Sequence, residues 1–196
     1  MEKITAIILA GGKSSRMGED KGLLKINNIS MVEMIIKTVT PMVSKIIIIS
    51  NNQEYLKFNT DVFPDLIKNK GPVGGIYTGL NYTKTGTNIV LSCDTPFVSQ
   101  SLLKLLLDSS KKKLITIPKY NEKLHSLIGI YKKNALPYFK ESIENGFLKL
   151  GLVNKNLNCK IVNVSLIENA SFFNEKTFVN VNTKKDLEKI NNEYKG

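Results

Sequence analysis

The chain has 196 residues, 42% hydrophobic and 23% charged, the proportions of a soluble globular protein long enough to bury a core without disulfides or structural metals. No apolar run approaches the roughly 18 residues of a membrane helix, and two cysteines, Cys93 and Cys159, make no disulfide framework, so no membrane association and a reducing, cytoplasmic setting are expected. The net charge of +11 favours anionic partners, but its lysines are spread along the chain with no basic block interleaved with aromatics, so no specific nucleic-acid partner is expected.

Taken in chain order, Ile4 to Leu9 is a short β-branched run ending in glycines, which reads as a buried strand rather than a secretory segment. Gly11 to Gly22 follows as a polar, glycine-bearing loop. Ser30-Met31-Val32-Glu33 has the capping-box pattern and opens a helix towards Thr40, stopped by Pro41. Lys45 to Ser50 holds four consecutive isoleucines, a strand buried on both faces. Gly71-Pro72-Val73-Gly74-Gly75 predicts a turn, with a helix from Ile76 to Lys84. Asn88 to Ser92 is another buried strand, and Ser99 caps a helix through Leu107. Leu114 to Ile117 and Leu127 to Tyr131 read as strands, with a helix from Asn134 to Glu144. Ile161 to Val164 and Phe178 to Val181 read as short strands, and Thr183 with Asp186 caps a last helix to about Tyr194. This alternation predicts one domain over residues 1–196, a three-layer α/β fold around a mostly parallel sheet. In such sheets ligands bind beyond the carboxyl ends of the strands.

The informative residues follow strand ends. Leu9-Ala10-Gly11-Gly12-Lys13-Ser14-Ser15-Arg16-Met17-Gly18-Glu19-Asp20-Lys21 comes directly after the first strand. Its glycines let backbone N–H groups approach phosphate oxygens, and Arg16, the only arginine of the chain, supplies a planar bidentate donor. The spacing matches neither a Walker A loop nor the dinucleotide fingerprint. Val62-Phe63-Pro64-Asp65 ends in an aspartate that suits either a plain turn or an acceptor for the N–H groups of a ligand. Asp94, in Ser92-Cys93-Asp94-Thr95-Pro96, ends a buried strand, where a carboxylate calls for a partner or a cation. Mg²⁺ takes one or two carboxylates together with phosphates and waters. Cys93 reads as a small buried side chain rather than a nucleophile. Asn51 and Asn52, just after the isoleucine strand, read first as a plain turn and second as part of the ligand site. Asn180 and Asn182 alternate along an extended segment, between helix capping and a site role. His125, the only histidine, reads either as a surface residue or as part of the second-substrate site.

These strings resemble the molybdenum cofactor guanylyltransferase family, within the nucleotidyltransferases that carry L-A-G/A-G-x-x-x-R-M. The family loop L-A-G-G-x-S-x-R-M-G-x-D-K is matched at each fixed position, with C-D-x-P-F/Y at Cys93 to Phe97 and F-x-N-V-N-T at Phe178 to Thr183. The resemblance implies a Rossmann-like nucleotidyltransferase fold. It also implies nucleotide binding by Leu9, Ala10, Gly11, Gly12, Lys21, Asp65 and Asp94, Mg²⁺ on Asp94, and Arg16, Lys21 and Asp94 in catalysis. The implied reaction moves GMP from GTP to the terminal phosphate of molybdenum-molybdopterin, releasing pyrophosphate, with transient handover of the product to molybdoenzymes or their chaperones. Cytidylyl-transferring relatives often have alanine where this chain has Gly11, and glycine leaves more room for a purine. The chain departs from the family at His125-Ser126, where His-Pro is usual, and at Gly146 to Lys149, where relatives carry arginines. Other readings are a related transferase using CTP or another phosphorylated acceptor, and a non-catalytic nucleotide- or RNA-binding protein.

Overall fold

β1 (Ile4–Leu9) and β6 (Thr87–Ser92) lie side by side at the middle of an eight-stranded sheet. A computed structural model describes residues 2–11, 20–167 and 175–193. The path across the sheet is β10 (Cys159–Asn163), β7 (Ile115–Tyr120), β9 (Ile128–Lys132), β6, β1, β4 (Lys45–Ile49) and β5 (Asp61–Phe63), with β8 (Lys123–Leu124) paired to β7. The β6–β1–β4–β5 half is wholly parallel. β9 runs antiparallel to both β6 and β7, so the fold is α/β with a mostly parallel sheet.

Alternation along the strands sorts their side chains into two cores. Ala6, Ile8, Ile48, Ile89 and Leu91 face the layer of α1 (Met31–Val39) and α3 (Gln100–Ser109). Ile7, Leu9, Ile47, Ile49 and Val90 face α2 (Gly71–Tyr82), α4 (Leu136–Glu144) and α5 (Leu150–Asn156). Four consecutive isoleucines are therefore needed in β4 because both of its faces are covered. A third, smaller cluster joins Leu24, Ile26 and Met31 to Val181 and Ile190 of the carboxyl-terminal segment, and so ties α6 (Lys184–Glu193) to the hairpin of β2 (Lys25–Ile26) and β3 (Ile29–Ser30).

Three local expectations change. Ser30 precedes α1, but its side chain makes no cap bond. It is held instead as the end of β3, opposite Lys25, while Met31 N–H donates to Leu24 O at 2.9 Å. The glycines at 71–75 are the first turns of α2 rather than a turn before it. Phe178 to Val181 is no strand: a 3-10 turn, Glu175–Phe178, leads into irregular chain. The Asn27-Asn28 hairpin turn, with φ of 47° and 65°, and α5 were not anticipated. Elsewhere Ser99 caps α3 by accepting from Leu102 N–H at 3.2 Å. Thr183 and Asp186 cap α6 reciprocally, at 3.1 and 2.9 Å.

Candidate active site

The carboxyl ends of β1, β4, β5 and β6 meet at one edge of the sheet. Hydrogen bonds carry the ladder past the strands: Ala10 N–H donates to Ile49 O at 2.9 Å, Ser50 N–H to Phe63 O at 2.9 Å, and Cys93 N–H to Leu9 O at 3.0 Å. The segments 9–11, 50–52, 63–65 and 92–94 are therefore held at a common level. Leu9, Ala10, Gly11, Asp65 and Asp94 are brought together there. Arg16 and Gly12 lie outside the described residues.

Gly11 is exposed, and a Cβ on it would stand 3.7 Å from Asp65 Oδ2. The Asp65 carboxylate thus lies directly beside the start of the loop. It accepts from Asn51 Nδ2 at 3.4 Å. Partial burial raises its pKa, and the Asn51 bond works the other way. Next along the chain, Leu66 N–H donates to Thr78 Oγ1 of α2 at 3.1 Å.

Asp94 is half-buried in a turn closed by Thr95, whose N–H and hydroxyl both donate to Ser92 O. Its backbone carbonyl accepts from Val181 N–H at 2.9 Å. The neighbouring Asn180 Oδ1 is buried with no hydrogen-bond partner among the described residues. An orphaned oxygen on the segment bonded to Asp94 fits a hard cation, which takes oxygen ligands and needs few carboxylates when phosphates complete its shell. Cys93 is buried, and burial with the nearby Asp94 carboxylate pushes its thiol far up, which leaves it a packing residue.

Lys21 reaches the same segment from the other side. Its Nζ donates to Asn182 Oδ1 at 3.0 Å. Asp186 is held below its usual pKa by the Asn182 N–H first and by Thr183, with Lys21 adding to the effect. Asn182 therefore partners a cation rather than capping α6. Asp20, before Lys21, accepts from Gly22 N–H at 3.1 Å and Asn52 Nδ2 at 3.3 Å, and from the Tyr55 hydroxyl. Asn51 and Asn52 thus contact Asp65 and Asp20 at this edge, and Asn52 also caps the following 3-10 turn by accepting from Glu54 N–H; their place after a buried strand was the available signal. Tyr55 gave none, because it sits in a turn whose packing only the fold reveals.

His125 is half-buried, with its ring 4.4 Å from that of Phe178, which in turn stacks on Tyr120 at 4.9 Å. Burial, with a smaller contribution from Lys123, pushes its pKa down to about 4. Ser126, which replaces the family proline, accepts from Tyr131 Oη through its carbonyl and from Asn154 Nδ2 through its hydroxyl.

A sequence profile described as the MobA-like NTP transferase domain matches residues 6–150. A protein of Flavobacterium johnsoniae named "Probable molybdenum cofactor guanylyltransferase" is 37% identical over 192 residues, covering 97% of this chain and 98% of that one. One of Clostridium perfringens with the same name is 37% identical over 193 residues, covering 97% of each. The crystal structure of molybdopterin-guanine dinucleotide biosynthesis protein A from Archaeoglobus fulgidus superposes with a TM-score of 0.81 over 97% of this chain and 98% of that one, at 21% identity, which speaks for the fold. With a profile over most of its length and relatives matched nearly end to end, the chain belongs to the MobA-like NTP transferase family and is a nucleotidyltransferase.

Proposed function

We propose that the protein transfers GMP from GTP to the terminal phosphate of molybdenum-molybdopterin, giving the guanine dinucleotide and pyrophosphate. The observation that carries this is the convergence of Gly11, Asp65, Lys21 and Asp94 at one strand edge in a chain whose full-length relatives bear the guanylyltransferase name. Asp65, beside Gly11, offers two acceptor oxygens to the N1–H and amine of guanine. A glycine at 11 keeps the space above that carboxylate open for a base.

The attacking phosphate oxygen is already anionic, so the reaction needs alignment and charge neutralisation more than a strong base. The oxygen forms a bond to the α-phosphorus as the α–β anhydride bond breaks, and pyrophosphate leaves with the electron pair. Lys21 neutralises the departing phosphates, and Arg16 in the same loop is the matching bidentate donor. Asp94, with Asn180 Oδ1, would hold Mg²⁺, which neutralises charge on phosphate oxygens when bound. The molybdenum is cargo on the second substrate.

Among the described residues no helix is long and apolar enough to cross a membrane. A cytoplasmic setting, with direct handover of the product to molybdoenzymes or their chaperones, fits the chemistry of a labile cofactor.

The deciding experiment is thermal unfolding with GTP, CTP, UTP and ATP, with and without Mg²⁺, on wild type and Asp94→Ala. A ligand of the native state raises the midpoint. We expect a GTP-selective rise, larger with Mg²⁺ and reduced in the variant. A CTP-selective rise would move the reading to a cytidylyl transferase, and no rise with any nucleotide would overturn it.

A further inference from the structure

Tyr55 is among the largest fully buried side chains of the protein, yet its hydroxyl faces a carboxylate. The residue lies in the 3-10 turn Gln53–Phe58 that follows β4. Its hydroxyl donates to Asp20 Oδ1, which also accepts the Gly22 N–H. The other oxygen of Asp20 accepts from Asn52 Nδ2. Asn52 is itself fixed, its Oδ1 accepting the Glu54 N–H at 3.0 Å and its own N–H donating to Ser50 Oγ at 3.1 Å. One carboxylate therefore gathers donors from Gly22, Asn52 and Tyr55, and Lys21 is the residue between the two gripped positions, 20 and 22.

The junction has no slack. A Cβ on Gly22 would collide with the Tyr55 hydroxyl and stand 3.2 Å from Cys93 Cβ. The Tyr55 hydroxyl and Cys93, the residue before Asp94, thus both close on Gly22, the position after Lys21. Stability alone gives a poor reason for this arrangement. Burying a phenol against a carboxylate carries a desolvation cost, and apolar replacements of such buried polar groups are often neutral or stabilising. What apolar packing does not supply is a directional bond that fixes the exit of the loop.

We propose that Tyr55 and Asn52, acting through the Asp20 carboxylate, are positioning residues that set Lys21 relative to Asp94 for nucleotidyl transfer. The inference rests on the transferase reading above. Each acts by holding Asp20, and Asp20 acts by holding the backbone on both sides of the lysine.

The test is a double-mutant cycle on the full chain with Mg²⁺, GTP and molybdenum-molybdopterin, read as the rate of pyrophosphate release, with urea unfolding of every variant alongside. The variants are Tyr55→Phe, Asn52→Ala, Lys21→Ala, and each of the first two combined with Lys21→Ala. Tyr55→Phe keeps the ring and removes the single bond. Its expected effect is about a tenfold slower release, with Asn52→Ala in the same direction, and a lowered unfolding midpoint that leaves both variants folded at the assay temperature. In the Lys21→Ala background both effects should vanish, because a positioning residue has nothing left to position. Equal losses in both backgrounds, or a lower midpoint with wild-type rates, would assign a purely structural role and overturn the proposal. A wild-type protein that releases no pyrophosphate would overturn the transferase reading and this inference with it, whereas an active wild type with unaffected Tyr55→Phe and Asn52→Ala overturns the inference alone.

Discussion

A methyl group at Gly11 is affordable to the fold and awkward for a base. Its Cβ would meet Asp65 Oδ2 at 3.7 Å and Ile49 O at 3.9 Å, ordinary contact distances, and the backbone there has no left-handed φ. Gly11→Ala should therefore leave the denaturant midpoint within about 0.5 kcal/mol of wild type. The added carbon occupies the space above the Asp65 carboxylate, so the ratio of GTP to CTP affinity should fall, as read by calorimetric titration; an unchanged ratio would remove Gly11 from base selection. Asp65→Asn keeps the size of the side chain and turns one acceptor into a donor, which should cost roughly 1–3 kcal/mol of GTP binding if guanine is read there, measurable in the same titration. At this scale the candidate residues were legible, because Gly11, Asp65, Lys21 and Asp94 stand in contiguous strings at strand ends. Their supports were not. Asn51 and Asn52 look like any turn after a strand, and the Tyr55–Asp20 contact spans 35 positions with nothing local to announce it.

α2 rests on β1 through glycine. A Cβ on Gly79 would collide with Ile7 Cγ2 and stand 3.1 Å from Ile7 Cδ1, and one on Gly75 would meet Leu9 Cδ2 at 3.2 Å. These two positions are four apart, one turn of the same helix face. Gly79→Ala should thus destabilise the protein by about 1–3 kcal/mol through overpacking, more than the gain of up to about 1 kcal/mol that alanine brings to a helix. Urea unfolding checks the sign, and a stabilised variant would show that the helix can lift off the sheet without cost. The same contact explains why the glycine-rich stretch reads as a turn in sequence and is helix in the fold: low helix propensity is outweighed where only a glycine face lets helix and strand approach. Ser30 errs in the opposite direction. Its local pattern promises a capping box, but pairing within β3 fixes the backbone and leaves its hydroxyl buried without a partner among the described residues. Isoleucine-rich strands were easier to read, since burial on both faces admits little else.

Over the whole molecule, acid sensitivity has an identifiable contributor. His125 is the only histidine, and its pKa falls from 6.5 to about 4 on folding. Between these values the unfolded chain binds the extra proton and the folded chain does not, so stability rises with pH across the window. The contribution is complete above about pH 6.5 and is lost as pH falls towards 4. His125→Gln should flatten the dependence of the thermal midpoint on pH within that window and leave the steeper carboxylate-driven fall below it; parallel curves for the two proteins would show that the ring titrates freely. The placement of this ring against Phe178 belongs to the carboxyl-terminal segment, which also supplies Asn182 to Lys21 across 161 positions of sequence. That span has a consequence for biosynthesis. At roughly 5–20 residues per second of translation, Lys21 waits about ten to thirty seconds for its partner to be made. The central strands can pair on the ribosome well before then, but a nascent chain stopped short of Asn182 carries the sheet and Lys21 without that contact, so the site matures only once Asn182 has been made.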